Sequence, residues 1–501
     1  MKKYLYLIAA GLSFSIANSQ NISDALRYSQ ENLNGTARFH ALSGAFGALG
    51  GDFSAIQVNP AGSSVFANTQ VGISLGAYNV KNKSDYFGTT TSVTNTAFDV
   101  NQAGGALVFN FNDPKTNWKK FVIAIDYENA NNFDNSLFNT GVNPNHSVAD
   151  YFLSYANGSG NVIPTSVLND PNIALDYDQL QAFLGYAGGV IAGPDADNDL
   201  YTSNVPVGRY SHENYLESTG YNGKLSFNAS AQYNDRFYFG LNINTHFTDY
   251  TQTTDFYEDN NNSTTSGVRS LVFSNDLHTY GTAISFQLGA IAKITPAFRV
   301  GLAYTSPTWY QLNDELYQSV QSSGIDSSTT PTTFPENFAD TGVLPVAYAP
   351  YKLQTPGKFT GSLAYIFGKS GLISIDYALK DYGSTRFRPQ DQYFAPRNAI
   401  MSNQLAVAGD LRVGVEKRIK QWSLRAGYHN EGSPYKDGKT IGDLNGFSAG
   451  FGYNFGYTKL DMSYSYAQRD YQYAFFSQGF TDAAAIKSVS NNVVLTLSFD
   501  L

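Results

Sequence analysis

Cysteine is absent from the 501 residues, so neither a disulfide framework nor a thiolate metal site exists. Charge is scarce: Asp, Glu, Lys and Arg make up 15% of the chain, against about a quarter in ordinary soluble domains. The net charge is −9 and no basic run occurs, which argues against a nucleic-acid surface. Long apolar runs are missing as well. Beyond Ile16 no stretch nears the roughly 18 apolar residues that a membrane-crossing helix needs. The six histidines, His40, His146, His212, His246, His278 and His429, are scattered, with no pair at metal-ligand spacing. The run Gly44-Ala-Phe-Gly-Ala-Leu-Gly50 lacks the strand and crossover helix of a dinucleotide fingerprint, and no nucleophile elbow sits between a strand and a helix. The sequence therefore predicts no catalytic residue, no metal, no cofactor and no enzyme; a barrel protease or lipase would have no machinery.

What is present is aromatic and small. Tyr occurs 36 times, Phe 35 and Gly 45, with Asn, Ser and Thr abundant. Many aromatics with little charge fit a membrane β-barrel, whose strands average out as neutral. A secreted array of β-sandwiches is the competing reading. The first residues read as an export signal: Lys2-Lys3, an apolar stretch Tyr4 to Ile16, then the small-residue pattern Ala17-Asn18-Ser19. Cleavage after Ser19 would start the mature chain at Gln20.

From Thr69 onward the hydrophobic period is two. In Arg236–Phe247, Phe237, Phe239, Leu241, Ile243 and Phe247 share one face, and Tyr238, Gly240, Asn242, Asn244 and His246 the other. Leu372–Lys380 sets Ile373, Ile375, Tyr377 and Leu379 against Ser374, Asp376, Ala378 and Lys380. Leu411–Ile419 and Asn492–Leu501 behave alike. Successive strand side chains point to opposite faces, so each segment has an oily and a polar side. About fourteen such segments follow one another. Every second connection is tight, such as Asn234-Asp235, Lys369-Ser370, Lys420-Gln421 and Gly456. The others are long and polar, such as Lys81–Gln102, Asp259–Asp276 and Asn313–Gly357. That alternation is the signature of a transmembrane barrel, and a soluble sandwich has no reason for it. One connection, residues 129–223, exceeds what a loop spans without structure of its own. Apolar spacing in Val148–Ala156 and Leu175–Ile191 suits helices capping the outer mouth.

The segment Phe39–Phe66 is apolar, rich in glycine and alanine, and too short for a core of its own. It needs a tube to fill. On the predicted inner faces, Arg299, Arg412, Arg425, Glu416 and Asp376 stand out. They pair with one another and with the plug, or an arginine among them binds a ligand carboxylate. Gly104-Gly105, with Val122 and Ala124 on the next strand, marks a wall that could bend or open sideways; ordinary packing against the plug explains these residues equally well.

Asn59-Pro60-Ala61, preceded by Gly44-Ala-Phe-Gly-Ala-Leu-Gly-Gly-Asp52 and placed before a fourteen-strand pattern, resembles the outer-membrane transporters of hydrophobic compounds typified by FadL and TodX. Ala25-Leu-Arg-Tyr-Ser and Gly35-Thr-Ala-Arg-Phe fit the same resemblance. It implies an all-β, antiparallel transmembrane barrel of about 14 strands: signal peptide 1–19, an N-terminal hatch 20–68 in the lumen, and barrel 69–501 with an extracellular insertion at 129–223. The hatch motif is Gly50, Gly51, Asp52, Asn59, Pro60 and Ala61. The implied function is passive uptake of hydrophobic small molecules such as long-chain fatty acids across the outer membrane of a Gram-negative bacterium, without ATP or an energy-coupling partner. The implied partners are the apolar ligand, outer-membrane lipid and the barrel-assembly machinery. Two departures from the family are the size of 129–223 and the ending Phe499-Asp500-Leu501, without a terminal aromatic. A barrel subunit of an outer-membrane assembly or secretion complex, gripping protein partners with its extracellular loops, is the alternative function. A hemin receptor, on the strength of His40 in the plug, is a third.

Overall fold

The computed structural model describes residues 22–501, apart from 112, 114, 159, 195–198, 263–265, 328–332, 334, 343 and 392. The expected signal peptide, 1–19, lies outside the described residues. Fourteen antiparallel strands form the wall. They are β1 (Gln70–Tyr86), β2 (Thr89–Asn110), β3 (Trp118–Asn132), β4 (Tyr210–Tyr233), β5 (Phe237–Asp259), β6 (Ser266–Lys293) and β7 (Phe298–Thr305). The second half comprises β8 (Lys358–Ile366), β9 (Gly371–Asp381), β10 (Val407–Ile419), β11 (Trp422–Glu431), β12 (Ile441–Asn454), β13 (Thr458–Ala474) and β14 (Ala483–Asp500). Each pairs with the next, and β14 pairs with β1 from Gln70↔Asp500 to Asp85↔Ala485, so the sheet closes. Closure leaves no unpaired sheet edge in contact with lipid.

The faces are those that the alternation predicts. On β5, Phe237, Phe239, Leu241 and Ile243 are exposed, while Tyr238, Asn242 and Asn244 are buried. On β9, Ile375 is 40% exposed and its neighbour Asp376 3%. An apolar exterior around a polar interior suits a tube standing in lipid.

Several segments expected as loops are strand instead. Lys81–Gln102 lies in β1 and β2, which continue to the turn Phe87-Gly88 with paired residues such as Lys83↔Ser92. Asp259–Asp276 lies largely in β5 and β6, and Asn313–Gly357 contains most of a strand Trp309–Asp326. Above the membrane both faces of a strand meet water, so the apolar alternation fades while the ladder still satisfies every backbone group. The Thr-rich run Thr89–Thr96 keeps its strand propensity and loses only its oily face.

The excursion between β3 and β4 is shorter than 129–223, because Asn129–Asn132 belong to β3 and Tyr210–Gly223 to β4. Between them lie a strand Asn135–Asn143 paired to β4 and three helices, α4 (Ala149–Ala156), α5 (Thr165–Leu168) and α6 (Tyr177–Ala187). An Asp176/Gln179 capping box opens α6. The excursion buries Phe152 and Leu184 of its helices, with Ile191 just after α6, against Phe256 of β5, Phe273 of β6, and Phe476 and Phe480 of the β13–β14 connection.

The N-terminal segment runs inside the wall. It holds α1 (Ile22–Ser29), α2 (Ala37–Ala41), α3 (Ala55–Val58) and a 3-10 turn Pro60–Val65. Leu42, Phe46, Ala48 and Ile56 are completely buried. At one end α1 packs with Tyr310, Leu353 and with Phe394 and Met401 of a helix Phe394–Gln404. At the other, Phe53, Ile56 and Phe66 pack on Ala106, Val122 and Ala124 of the wall.

Candidate functional site

The Asn59-Pro60-Ala61 turn touches four strands, β4 to β7. Asn59 accepts the Ala61 N–H at 3.1 Å, fixing the turn. Its Nδ2 donates to the carbonyls of Gly47 (2.7 Å), Ala290 on β6 (3.1 Å) and Leu302 on β7 (3.4 Å). The Pro60 carbonyl accepts from Asn228 of β4 at 3.0 Å. This closeness depends on wall glycines. A Cβ on Gly289 would stand 2.0 Å from Asn59 Oδ1, and one on Gly240 would stand 2.3 Å from the Pro60 carbonyl carbon. Gly50 and Gly51 take positive φ, 64° and 68°, and Gly51 donates to the Gly62 carbonyl at 2.9 Å. Asp52 accepts from Thr36 Oγ1 (2.7 Å) and the Ser54 N–H (3.0 Å), tying this turn to the start of α2.

Each of the five inward charges is engaged. Asp376 Oδ2 accepts the N–H groups of Phe46 (2.9 Å) and Gly47 (2.8 Å). Arg299 donates to the Leu49 carbonyl at 3.0 Å. Glu416 Oε2 takes Arg425 at 2.7 Å and Arg38 of α2 at 3.1 Å, and Arg425 also reaches Asp461 at 2.5 Å. Arg412 stands 3.7 Å from Glu431. The charges thus anchor the N-terminal segment or one another.

The β2–β3 wall carries the four residues singled out for sideways opening. Gly104 and Gly105 pair with Asp126 and Ile125 in a ladder that is continuous from Asn110↔Lys120 to Gln102↔Glu128. Val122 and Ala124 face inward. Above Gln102 that ladder stops. There β3 turns its inner side to the N-terminal segment: Asn131 donates to the Gln30 carbonyl at 2.9 Å, the Asn32 N–H meets Asn131 Oδ1 at 3.0 Å, and Asn34 donates to the Asn129 carbonyl. Residues 30–34 thus bond to β3 just beyond the last β2–β3 pair.

Sequence reasoning missed the basic cluster. Lys224 of β4, Lys358 of β8 and Lys380 of β9 line one small cavity of about 30 Å³ together with Glu31 and His246. Lys358 Nζ stands 2.5 Å from Glu31 Oε2, and Lys380 donates to the Ser29 carbonyl. A signal existed: each lysine stands at the outer end of a segment with apolar alternation. His40 is completely buried against β12 and β13, with Ser463 Oγ 3.4 Å from its Nδ1. Among the described residues no group of three or more His, Asp or Glu is placed to hold a metal ion.

Fold and interior together define a class: a transmembrane β-barrel of fourteen strands whose lumen is filled by its own N-terminal segment. No family model matches the chain, and no curated relative does. Among solved structures it is similar to a Pseudomonas aeruginosa FadL homologue, with 14% identity, 94% of this chain and 99% of that one covered, and a TM-score of 0.51. It is likewise similar to the P. putida toluene transporter TodX, at 13% identity, the same coverage and a TM-score of 0.50. At these identities the likeness establishes the shared fold.

Proposed function

We propose that the chain is an outer-membrane channel for the passive uptake of hydrophobic small molecules, long-chain fatty acids among them, with residues 20–68 as its hatch. The observation that carries this reading is the way the N-terminal segment is held. Many of its contacts with the wall are hydrogen bonds and ion pairs, such as Asp376 with Gly47 and Arg38 with Glu416, beside the apolar packing of Phe53, Ile56 and Phe66. Water can replace such contacts one by one at little net cost, so the segment can shift without the wall unfolding. Similarity of fold to a toluene transporter and to a FadL homologue supports the same reading. The Asn59-Pro60-Ala61 turn, with Gly50, Gly51 and Asp52, is the hinge about which the hatch shifts. Arg299, Arg412, Arg425, Glu416 and Asp376 are its anchors. The β2–β3 wall with Gly104, Gly105, Val122 and Ala124 is one place where the barrel can open sideways, because its ladder stops at Gln102↔Glu128 and residues 30–34 bond to β3 just beyond.

In this reading the tight turns face the periplasm. The helices of the β3–β4 excursion cap the extracellular mouth, and outer-membrane lipid surrounds the belt. The barrel-assembly machinery inserts the chain, and the extracellular loops are where protein partners would dock. Hemin binding finds little support, since His40 is sealed within the packing. Purified protein reconstituted in liposomes should equilibrate a labelled fatty acid across the bilayer faster than empty liposomes do, with no gradient or nucleotide. A reconstituted barrel that moves no apolar solute, and that co-purifies with a fixed set of proteins, would favour the assembly-subunit alternative.

A further inference from the structure

The wall has a second weak place, far from β2 and β3. β7 ends at Thr305 and the chain resumes as strand Trp309–Asp326; beside it, strand Tyr351–Gln354 ends and resumes as β8 at Lys358. The two interruptions, Ser306-Pro307-Thr308 and Thr355-Pro356-Gly357, lie side by side. The ladder runs from Phe298↔Tyr365 to Thr305↔Lys358 below them, and from Trp309↔Gln354 to Leu312↔Tyr351 above. Proline has no N–H to give. Across the break, Thr355 donates its N–H to the Thr308 carbonyl at 3.0 Å, and Thr308 its N–H to Thr355 Oγ1 at 3.1 Å.

Both sides of this stretch of wall are furnished. Inside, the cavity bearing Lys224, Lys358, Lys380 and Glu31 is also lined by Ser306 and Pro356. Outside, a lipid-facing apolar groove of about 740 Å³ is lined by Phe239, Leu288, Leu302, Tyr304, Phe359 and Leu379. Phe359 and Leu379 adjoin Lys358 and Lys380 in the chain and point to the opposite face. Cationic cavity and apolar groove therefore meet at the break.

We infer that the break between β7 and β8 is a lateral portal for a single-chain carboxylate amphiphile. Its hydrocarbon chain passes into the bilayer-facing groove while its head replaces the Glu31 carboxylate on Lys224, Lys358 and Lys380. Glu31, 2.5 Å from Lys358, is the carboxylate that holds this position in the closed state. Three lysines around a space that admits one small head group favour a carboxylate there. The portal rests on the uptake reading above and adds a route and a gate to it.

The test uses the full-length protein in liposomes with Thr308→Cys and Thr355→Cys together. The chain has no cysteine of its own. Directly opposed residues of an antiparallel pair stand about 5 Å apart, within disulfide reach. Oxidation should lower uptake of a radiolabelled long-chain fatty acid by about tenfold or more, and reductant should restore it. The same cross-link at Ser465→Cys and Asn492→Cys, which pair in β13 and β14, should leave uptake within about twofold. Undiminished uptake in the oxidised Thr308/Thr355 form, with an active reduced form, overturns the portal and leaves the channel reading intact. Absence of uptake by the unmodified protein overturns both. In equilibrium binding of a fluorescent fatty acid, Glu31→Gln should tighten the complex several-fold and Lys358→Gln should weaken it about tenfold. Equal weakening by the two would show Glu31 to be a structural partner of the lysines, and would overturn the exchange.

Discussion

Asp376 and Gly47, 329 positions apart in the chain, meet through one hydrogen bond of 2.8 Å from the Gly47 N–H to Asp376 Oδ2. The same oxygen takes the Phe46 N–H. A wall carboxylate thus serves as an acceptor for a tight turn in the plugging segment, in which the Phe46 N–H also reaches the Gly44 carbonyl at 2.9 Å. Asp376→Ala should loosen that turn by about 1–3 kcal/mol. Hydrogen exchange at Phe46 and Gly47 should speed roughly tenfold or more, with barrel amides unchanged. Asp376→Asn keeps an acceptor and should be milder. Equal exchange in Ala variant and wild type would show the bonds to be dispensable.

One residue earlier the wall meets lipid. Ile375→Arg places a charge on the outer face and should cost roughly 2–4 kcal/mol at mid-membrane depth. The yield of heat-modifiable, folded barrel on gels should fall markedly, whereas Asp376→Ala should fold in nearly normal yield. Matching losses at the two positions would contradict the assignment of faces.

Gly289 and Gly361 both sit in wall strands and should respond oppositely to a methyl group. At Gly289 the new Cβ would collide with Asn59 Oδ1 at 2.0 Å, while at Gly361 nothing lies within 4 Å. Gly289→Ala should push the Asn59-Pro60-Ala61 turn off the wall and raise the leak conductance of the reconstituted barrel. Gly361→Ala should change stability by no more than about 0.5 kcal/mol. A Gly289→Ala barrel as tight as wild type would mean the turn does not seal the lumen.

Glu258, on the part of β5 above the membrane belt, holds the helical excursion. It accepts from Ser147 Oγ at 2.5 Å, the Val148 N–H at 2.8 Å and His212 Nε2 at 3.0 Å. Glu258→Ala leaves a helix start and a buried imidazole without their acceptor, a loss of about 1–3 kcal/mol. Limited proteolysis should then cut within residues 144–209 well before the barrel is touched. An unchanged cleavage pattern would place the attachment elsewhere, in the Phe152–Phe273 packing.

The sequence by itself determined the wall. Alternation in segments such as Phe237–Phe247 reports which side of a strand is oily, and strict exchange of tight and long connections reports an up-and-down barrel. Both are local properties of the chain, as is the lack of strand period before Thr69. Strand length above the membrane was not legible, because water on both faces erases the alternation over Lys81–Gln102 while the ladder persists. Which inward charges meet was decided only by tertiary structure. Arg38, Glu416 and Arg425 converge because strand register and the path of a segment hundreds of residues upstream bring them together. Period two carries no information about register between strands that are distant in the chain. The same holds for Lys224, Lys358 and Lys380. Each is an ordinary lysine within a strand, and the closing of the barrel makes the three one site.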